Sequence, residues 1–169
     1  MLEAMKRSYD FDFFKVRWLG RYGWIVDRPV AAVVVPESAD GRLWLVRIAR
    51  VPTRTRSWEL PGGEVGKSET PVQAGLRELC EETGLVARDG AELWPTMIEA
   101  APGMGRMPHR VIVARGVEPD GGRPRPQRDE GIEQVRRFTR EELARRVADG
   151  RIHVLATLGA LAVTGWLGG

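Results

Sequence analysis

Three glutamates, Glu78, Glu81 and Glu82, stand at spacings i, i+3 and i+4. On a helix these positions share one face, with Cβ atoms about 5–6 Å apart, where like charges repel. The carboxylates alone leave two readings. Charge clusters on helices are usually solvated surface; the alternative is a set of hard oxygen ligands kept together for a cation. Such ligands suit Mg²⁺ or Mn²⁺, and Mg²⁺ takes one or two carboxylates and completes its shell with water and substrate phosphates.

The element that must position them has clear ends. Thr70 before Pro71 is a helix start: the Thr oxygen caps orphan N–H groups, and proline at the first helical position loses no needed donor. Gln73 completes a capping-box spacing. Gly84 stops the helix, because a residue without Cβ takes the left-handed conformation cheaply.

The wider pattern decides between the two readings. From Gly63 the chain runs five residues to Glu69, seven more to Arg77-Glu78-Leu79, then one to Glu81-Glu82 and one to Gly84-Leu85. This resembles the complete signature of the Nudix hydrolases. The resemblance implies Glu78 and Glu82 as the main metal ligands, Glu81 as a further one and the carbonyl of Gly62 completing the site, with Mg²⁺ or Mn²⁺ as cofactor. It implies Glu69 and Arg77 as a structural ion pair, Arg77 also orienting the glutamates, and Gly63 and Gly84 as structural glycines. It further implies an α/β/α sandwich, with a mixed sheet and a loop-helix-loop catalytic motif, that hydrolyses phosphoric anhydrides. The base that takes the proton of the attacking water comes from a loop after the motif, where Glu130 and Glu133 stand; Glu130 is favoured because Glu133 enters a strand.

A second pattern overlaps the first. Gly62 to Ser68 approaches a phosphate-binding loop ending in Gly-Lys-Ser, but its first glycine falls at Pro61, which has no N–H, and the helix starts only at Pro71. Lys67 is therefore read as a solvated loop cation.

Weaker landmarks resemble the ADP-ribose and ADP-sugar pyrophosphatase branch: Trp24 to Val33, the pair Pro102-Gly103, and Gly150-Arg151-Ile152 with Thr157-Leu158. They imply a small nucleoside diphosphate substrate, ADP-ribose or another ADP-sugar, cleaved to AMP and a sugar phosphate. They also imply a homodimer built through the N-terminal strand region, residues 1–28, where Trp18, Tyr22 or Trp24 would stack on adenine. Two other readings remain: a house-cleaning pyrophosphatase for nucleoside triphosphates or dinucleotides, and a non-catalytic nucleotide-sugar sensor. The intact glutamate set argues against the sensor.

A chain of 169 residues is the length of one domain. The net charge of +3 comes from arginine, lysine occurring only at 6, 15 and 67. Guanidinium forks match phosphate, so Arg28, Arg47, Arg54 and Arg56 are candidate substrate ligands together with Trp24. His109 is either a substrate contact or a surface residue. Cys80 alone excludes an internal disulfide and is expected to pack on the helix. No apolar run reaches about 18 residues, so no membrane partner is expected; a nucleic-acid partner is not expected either, and the protein is expected in the cytoplasm.

Around the motif the pattern predicts an aromatic hairpin over 9–27, with Phe13, Phe14 and Trp18 on its first arm. A buried strand follows at 30–35, with Leu43–Ile48 returning beside it. Arg50 to Ser57 reads as a loop with three arginines. Strands at 92–99, 110–115 and 134–138 follow, the last reached by a mobile Pro- and Gly-rich connection over 119–128. Thr139 opens a capped helix to about Asp149, and the apolar tail, 152–167, reads as a buried or dimer-facing helix.

Overall fold

The computed structural model describes residues 8–11 and 14–168. Lys6, Asp12 and Phe13 lie outside them. β1 (Ser8–Asp10), β2 (Lys15–Trp18) and β3 (Trp24–Asp27) form an antiparallel meander, with a 3₁₀ turn at Gly20–Tyr22 inside the expected hairpin. There follow β4 (Ala31–Pro36), β5 (Leu43–Arg50), β6 (Thr55–Glu59), β7 (Gly62–Glu64), α1 (Pro71–Thr83), β8 (Leu85–Ala87) and β9 (Ala91–Glu99). β10 (Pro108–Ala114), β11 (Val117–Pro119), β12 (Ile132–Phe138), α2 (Arg140–Ala148) and α3 (Leu155–Val163) complete the chain.

The central sheet has the order β7-β4-β10-β9 and is mixed, with β10 parallel to β4 and the other pairs antiparallel. The continuous apolar run of β4 is buried on both faces, and alternation along it feeds two cores. Ala32 and Val34, with Ile112 of β10, pack against Ala74 and Leu79 of α1. Val33, Val35, Val111 and Val113 pack on the other side with Leu143 of α2 and Ala160 and Leu161 of α3. The molecule is thus an α/β/α sandwich around a mixed sheet. Each fully buried leucine among these contributes about 2 kcal/mol of hydrophobic stabilisation, so α1 is seated by Leu79 as firmly as by its caps.

The structure corrects five expectations. β5 packs on β4 through Val33, Val35, Leu43 and Leu45 but does not pair along it, the isolated Glu37–Leu43 bridge lying just past the end of β4; β5 forms a separate antiparallel sheet, β12-β5-β6. The expected arginine loop is largely this hairpin: Arg50 ends β5, Arg56 lies in β6, and the turn is closed by Arg54 at φ 55°. The connection over 119–128 is fastened to the end of α1, whose last carbonyls accept three of its N–H groups: Asp120 to Gly84 at 2.9 Å, Arg125 to Thr83 at 2.7 Å and Gln127 to Glu82 at 3.0 Å. Cys80 is exposed rather than packed. In the tail only Leu155–Val163 is helical, while the flanking Ile152 and Trp166 are buried.

Candidate active site

The local sequence of α1 folds as its caps require. Thr70 Oγ1 accepts from the Gln73 N–H and the Gln73 side chain accepts from the Thr70 N–H. Gly84 closes the helix at φ 66°, a left-handed conformation that costs a side-chain-bearing residue about 1 kcal/mol or more. With both ends fixed, the helix presents Arg77, Glu78, Glu81 and Glu82 to β7 and to the loop before the helix.

Arg77 is the hub of this surface. Its guanidinium donates to both Glu69 oxygens (2.8 and 3.2 Å), to Glu78 at 2.8 Å, to Glu81 at 2.9 Å and to the Glu64 carbonyl at 3.1 Å. The hydrogen bonds from Arg77 and from the Gly66 N–H hold the Glu69 carboxyl below its ordinary pKa. The same bonds to Glu69, then to Glu78, raise that of Arg77. Only a planar fork satisfies so many acceptors at once.

Glu82 behaves differently. It is only 5% exposed, and its one hydrogen bond joins Oε2 to the Gly62 N–H at 3.0 Å. Burial pushes its pKa up to about 8; the Gly62 N–H pulls the other way, and the Glu78 and Glu130 charges add to the rise. Glu78 is also raised, first by burial and then by Glu81 and Glu130 against the pull of Arg77. Glu78, Glu82 and Glu130 therefore share one electrostatic neighbourhood, although Glu130 comes from the 3₁₀ turn Arg128–Glu130, about 50 residues later in the chain. The fastened connection brings it there, and Gln127 Nε2 holds its carboxylate at 3.1 Å. Glu133 points elsewhere: it is paired with Arg56 at 2.9 Å and Arg47 at 3.5 Å, and the Arg56 hydrogen bond lowers its pKa.

Of two further residues in this neighbourhood, Glu59 was not singled out from the sequence, and Arg50 was read only as one of three loop arginines. Arg50 donates to the buried Glu59 at 2.7 and 3.3 Å. Burial works to lower its pKa, but Glu59, then Glu82 and Glu130, carry it higher. Glu59, flanked in sequence by the buried Trp58 and Leu60, is the available signal: an ionisable residue amid apolar neighbours at a strand end. A small cleft of about 130 Å³ is lined here by Arg50, Glu59, Gly62, Gly63 and His109. The His109 ring, half-buried and bonded through Nδ1 to the Met107 carbonyl, has its pKa lowered by burial.

The other candidates disperse. Arg28 is near the motif, bonded to Glu64 at 3.0 Å. Arg54 lies on the exposed hairpin turn. Trp24 is exposed on the meander against Trp18 and Tyr9. Arg47 and Arg56 face the opposite side of the β12-β5-β6 sheet from Arg50 and Glu59. Arg47 is in register with Trp58, while Val46 is in register with Glu59, and successive side chains alternate faces.

Among the described residues, no three carboxylate, imidazole or thiol side chains already enclose a cation. The donor set still fits a hard divalent ion of the Mg²⁺ kind, which needs few protein carboxylates. Glu78 and Glu82 are oxygen donors whose charged forms are disfavoured first by burial, a cost that a bound cation would offset. Glu78 also lies so close to the main chain that a Cβ on Gly63 would land on its carboxylate.

Comparison with known proteins identifies the class. A profile described as NUDIX domain matches residues 27–158, and the chain belongs to that family. Among curated proteins it is similar to the ADP-ribose pyrophosphatase of Bacillus subtilis (strain 168), 38% identical over 64 residues that cover 38% of this chain and 35% of that protein. It is equally similar to the RNA pyrophosphohydrolase of Brucella ovis, 38% identical over 65 residues that cover 36% of each. The chain thus spans about a third of the length of the curated relatives it matches. A solved structure described as an ADP compounds hydrolase shares the fold, with a TM-score of 0.70 at 20% identity, covering 98% of this chain and 96% of that one.

Proposed function

We propose that the protein is a Mg²⁺-dependent pyrophosphohydrolase that cleaves ADP-ribose or another ADP-sugar to AMP and a sugar phosphate. The observation that carries the reading is the convergence of Glu78, Glu82 and Glu130 beside Arg50. It joins the metal-binding glutamates of the motif helix to a separate carboxylate that can accept a proton. The similarity to an ADP-ribose pyrophosphatase supports the substrate class.

In this reading Glu78 and Glu82, with Glu81 and the Gly62 carbonyl, hold the cation. When bound, the cation supplies neutralisation of the diphosphate and acidification of a water. Gly62 holds Glu82 through its N–H, and Arg77 fixes Glu78 and Glu81 from the other side while Glu69 anchors Arg77 itself. Glu130, held by Gln127, takes the proton from the attacking water. The water oxygen bonds to one phosphorus, the bridging P–O bond breaks, and the nucleoside monophosphate and sugar phosphate leave. Arg50, bonded to Glu59, and Arg28, bonded to Glu64, are the cations for the substrate's phosphates, and His109, whose pKa burial lowers, lines the same cleft as Arg50. Arg54, at the exposed hairpin turn, has no assigned contact in this scheme.

A homodimer through the meander fits the same reading. Trp18, Tyr22 and Trp24 expose 40%, 66% and 47% of their surface there, which supports their stacking on adenine or on a second copy. The test is a panel of ADP-ribose, other nucleotide sugars, dinucleotides and nucleoside triphosphates with Mg²⁺, with products separated by chromatography. AMP and a sugar phosphate from the ADP-sugars is the expected result. Preferential turnover of triphosphates overturns the substrate class, and binding of ADP-ribose without turnover revives the sensor.

A further inference from the structure

On the side of the β12-β5-β6 sheet away from Glu59, five arginines converge: Arg47, Arg56, Arg136, Arg146 and Arg151 line a hollow of about 380 Å³. Its floor is Trp58, and the site is framed by register, since Arg47 stands opposite both Trp58 of β6 and Gln134 of β12. Carboxylates do not balance this charge. Glu133 serves both Arg47 and Arg56, and Glu142 serves Arg136 at 3.1 Å. Among the described residues Arg146 and Arg151 have no ion-pair partner.

Two of the guanidinium groups are also set in place by aromatic rings. Arg146 lies over the Phe138 ring at 4.7 Å and the Trp58 ring at 5.6 Å, and Arg136 lies over Phe138 at 5.0 Å. Stacked guanidinium planes keep their edge donors directed, which lowers the entropy lost when an anion is bound. Arg146 Nε is buried with no hydrogen-bond partner among the described residues. A buried donor left unsatisfied is costly and asks for an acceptor. Burial, then the charges of Arg136 and Arg151, pull the Arg146 pKa down, so the group is crowded by like charge that an anion would relieve.

We propose that this hollow is a second anion site, separate from the glutamate cleft, which takes a phosphorylated small molecule through a terminal phosphate or diphosphate. Five cations against three carboxylates, Glu133, Glu142 and the nearby Asp149, leave an excess that a dianion satisfies, and planar forks match phosphate oxygens in pairs. The volume is that of a small-molecule pocket. The site is a concavity and not a stripe, so it lacks the footprint of a nucleic-acid track. It does not depend on the hydrolytic reading, because Trp58 of β6 faces the hollow and its neighbour Glu59 faces the cleft.

The test is calorimetric titration of the full chain with inorganic pyrophosphate in excess EDTA, which keeps divalent cations from contributing. Wild type and Glu82→Gln should bind one equivalent with the same affinity, and a rise in salt should weaken both. Arg151→Gln and Arg146→Gln should each weaken binding by about tenfold, as expected for loss of a charge-assisted hydrogen bond. Arg151 is the safer variant, because its side chain is exposed and the fold uses its main chain, whose carbonyl accepts from the Trp58 N–H at 2.9 Å and whose N–H donates to the Arg146 carbonyl at 2.8 Å. If Arg146→Gln fails to fold, Arg56→Gln takes its place. Absence of pyrophosphate binding at millimolar concentration, binding indifferent to the arginine variants, or binding lost equally in Glu82→Gln overturns the proposal.

Discussion

Replacing Glu82 by Gln should make the metal-free protein more stable while abolishing its response to metal. The side chain is 5% exposed and accepts one hydrogen bond, from the Gly62 N–H, which the Gln amide oxygen can still accept at the same volume. Burial lifts the folded-state pKa of the glutamate to about 8 from an ordinary 4.5. Across that window the native state holds more protons than the unfolded chain, so stability falls as pH rises. The loss begins above 4.5, proceeds at up to about 1.4 kcal/mol per pH unit and is complete somewhat above 8. At pH 7 it amounts to roughly 3 kcal/mol. The variant carries no such proton, so in EDTA it should exceed wild type by about that amount at pH 7 and by little at pH 4.5. Urea unfolding followed by tryptophan fluorescence at pH 5, 7 and 8 reads the difference. Millimolar Mg²⁺ should then stabilise wild type and leave the variant unchanged. A variant equal to or less stable than wild type at pH 8 in EDTA refutes the claim that Glu82 is an uncompensated buried charge.

Four further outcomes follow from the same geometry. Glu130→Gln should lower kcat by about 100-fold or more, within the usual contribution of a general base, with Mg²⁺ affinity retained. Glu133→Gln, which removes only a partner of Arg47 and Arg56, should stay within about threefold of wild type on the scale of exposed ion pairs; the reverse order of effects in steady-state kinetics would exchange the two roles. Arg77→Lys should cost about 2 kcal/mol in denaturant unfolding, because an ammonium cannot meet the acceptors that the fork meets, and full stability of this variant would deny the hub. Gly63→Ala should fold with near-normal stability but bind Mg²⁺ about tenfold or more weakly by calorimetry, on the scale of altered ligand support at metal sites, since the new Cβ displaces the Glu78 carboxylate.

The ends of α1 were legible in the sequence because capping is local chemistry: Thr70, Pro71, Gln73 and Gly84 sit within one turn of the groups they satisfy. The buried strand at β4 was legible for a similar reason, a continuous apolar run. What the sequence hid was pairing at a distance. Nothing in Leu43–Ile48 says that its neighbours are β6 and β12 rather than β4, since an apolar strand satisfies any partner that covers it. That one difference of partner sends Arg47 and Arg56 away from the glutamates and brings Arg50 and Glu59 toward them, because alternation along a strand assigns consecutive residues to opposite faces. Glu130 was named for its position after the motif, and the reason it meets Glu82 is the backbone bonding of the connection, which no side chain announces.

That connection has the composition of a flexible linker and the hydrogen bonds of a splint. Its three N–H donors to the end of α1, at residues 120, 125 and 127, each come directly after a proline, Pro119, Pro124 and Pro126. Each ring restricts the unfolded chain just before a donor that the fold will use, so less freedom is left to lose on ordering. Because the bonds are made by main chain, they do not depend on which side chains the donor residues carry. What evolution or design must keep is the spacing that hands the motif helix a carboxylate from about 50 residues later in the chain, and a proline placed at any of the three donor positions would cut that link.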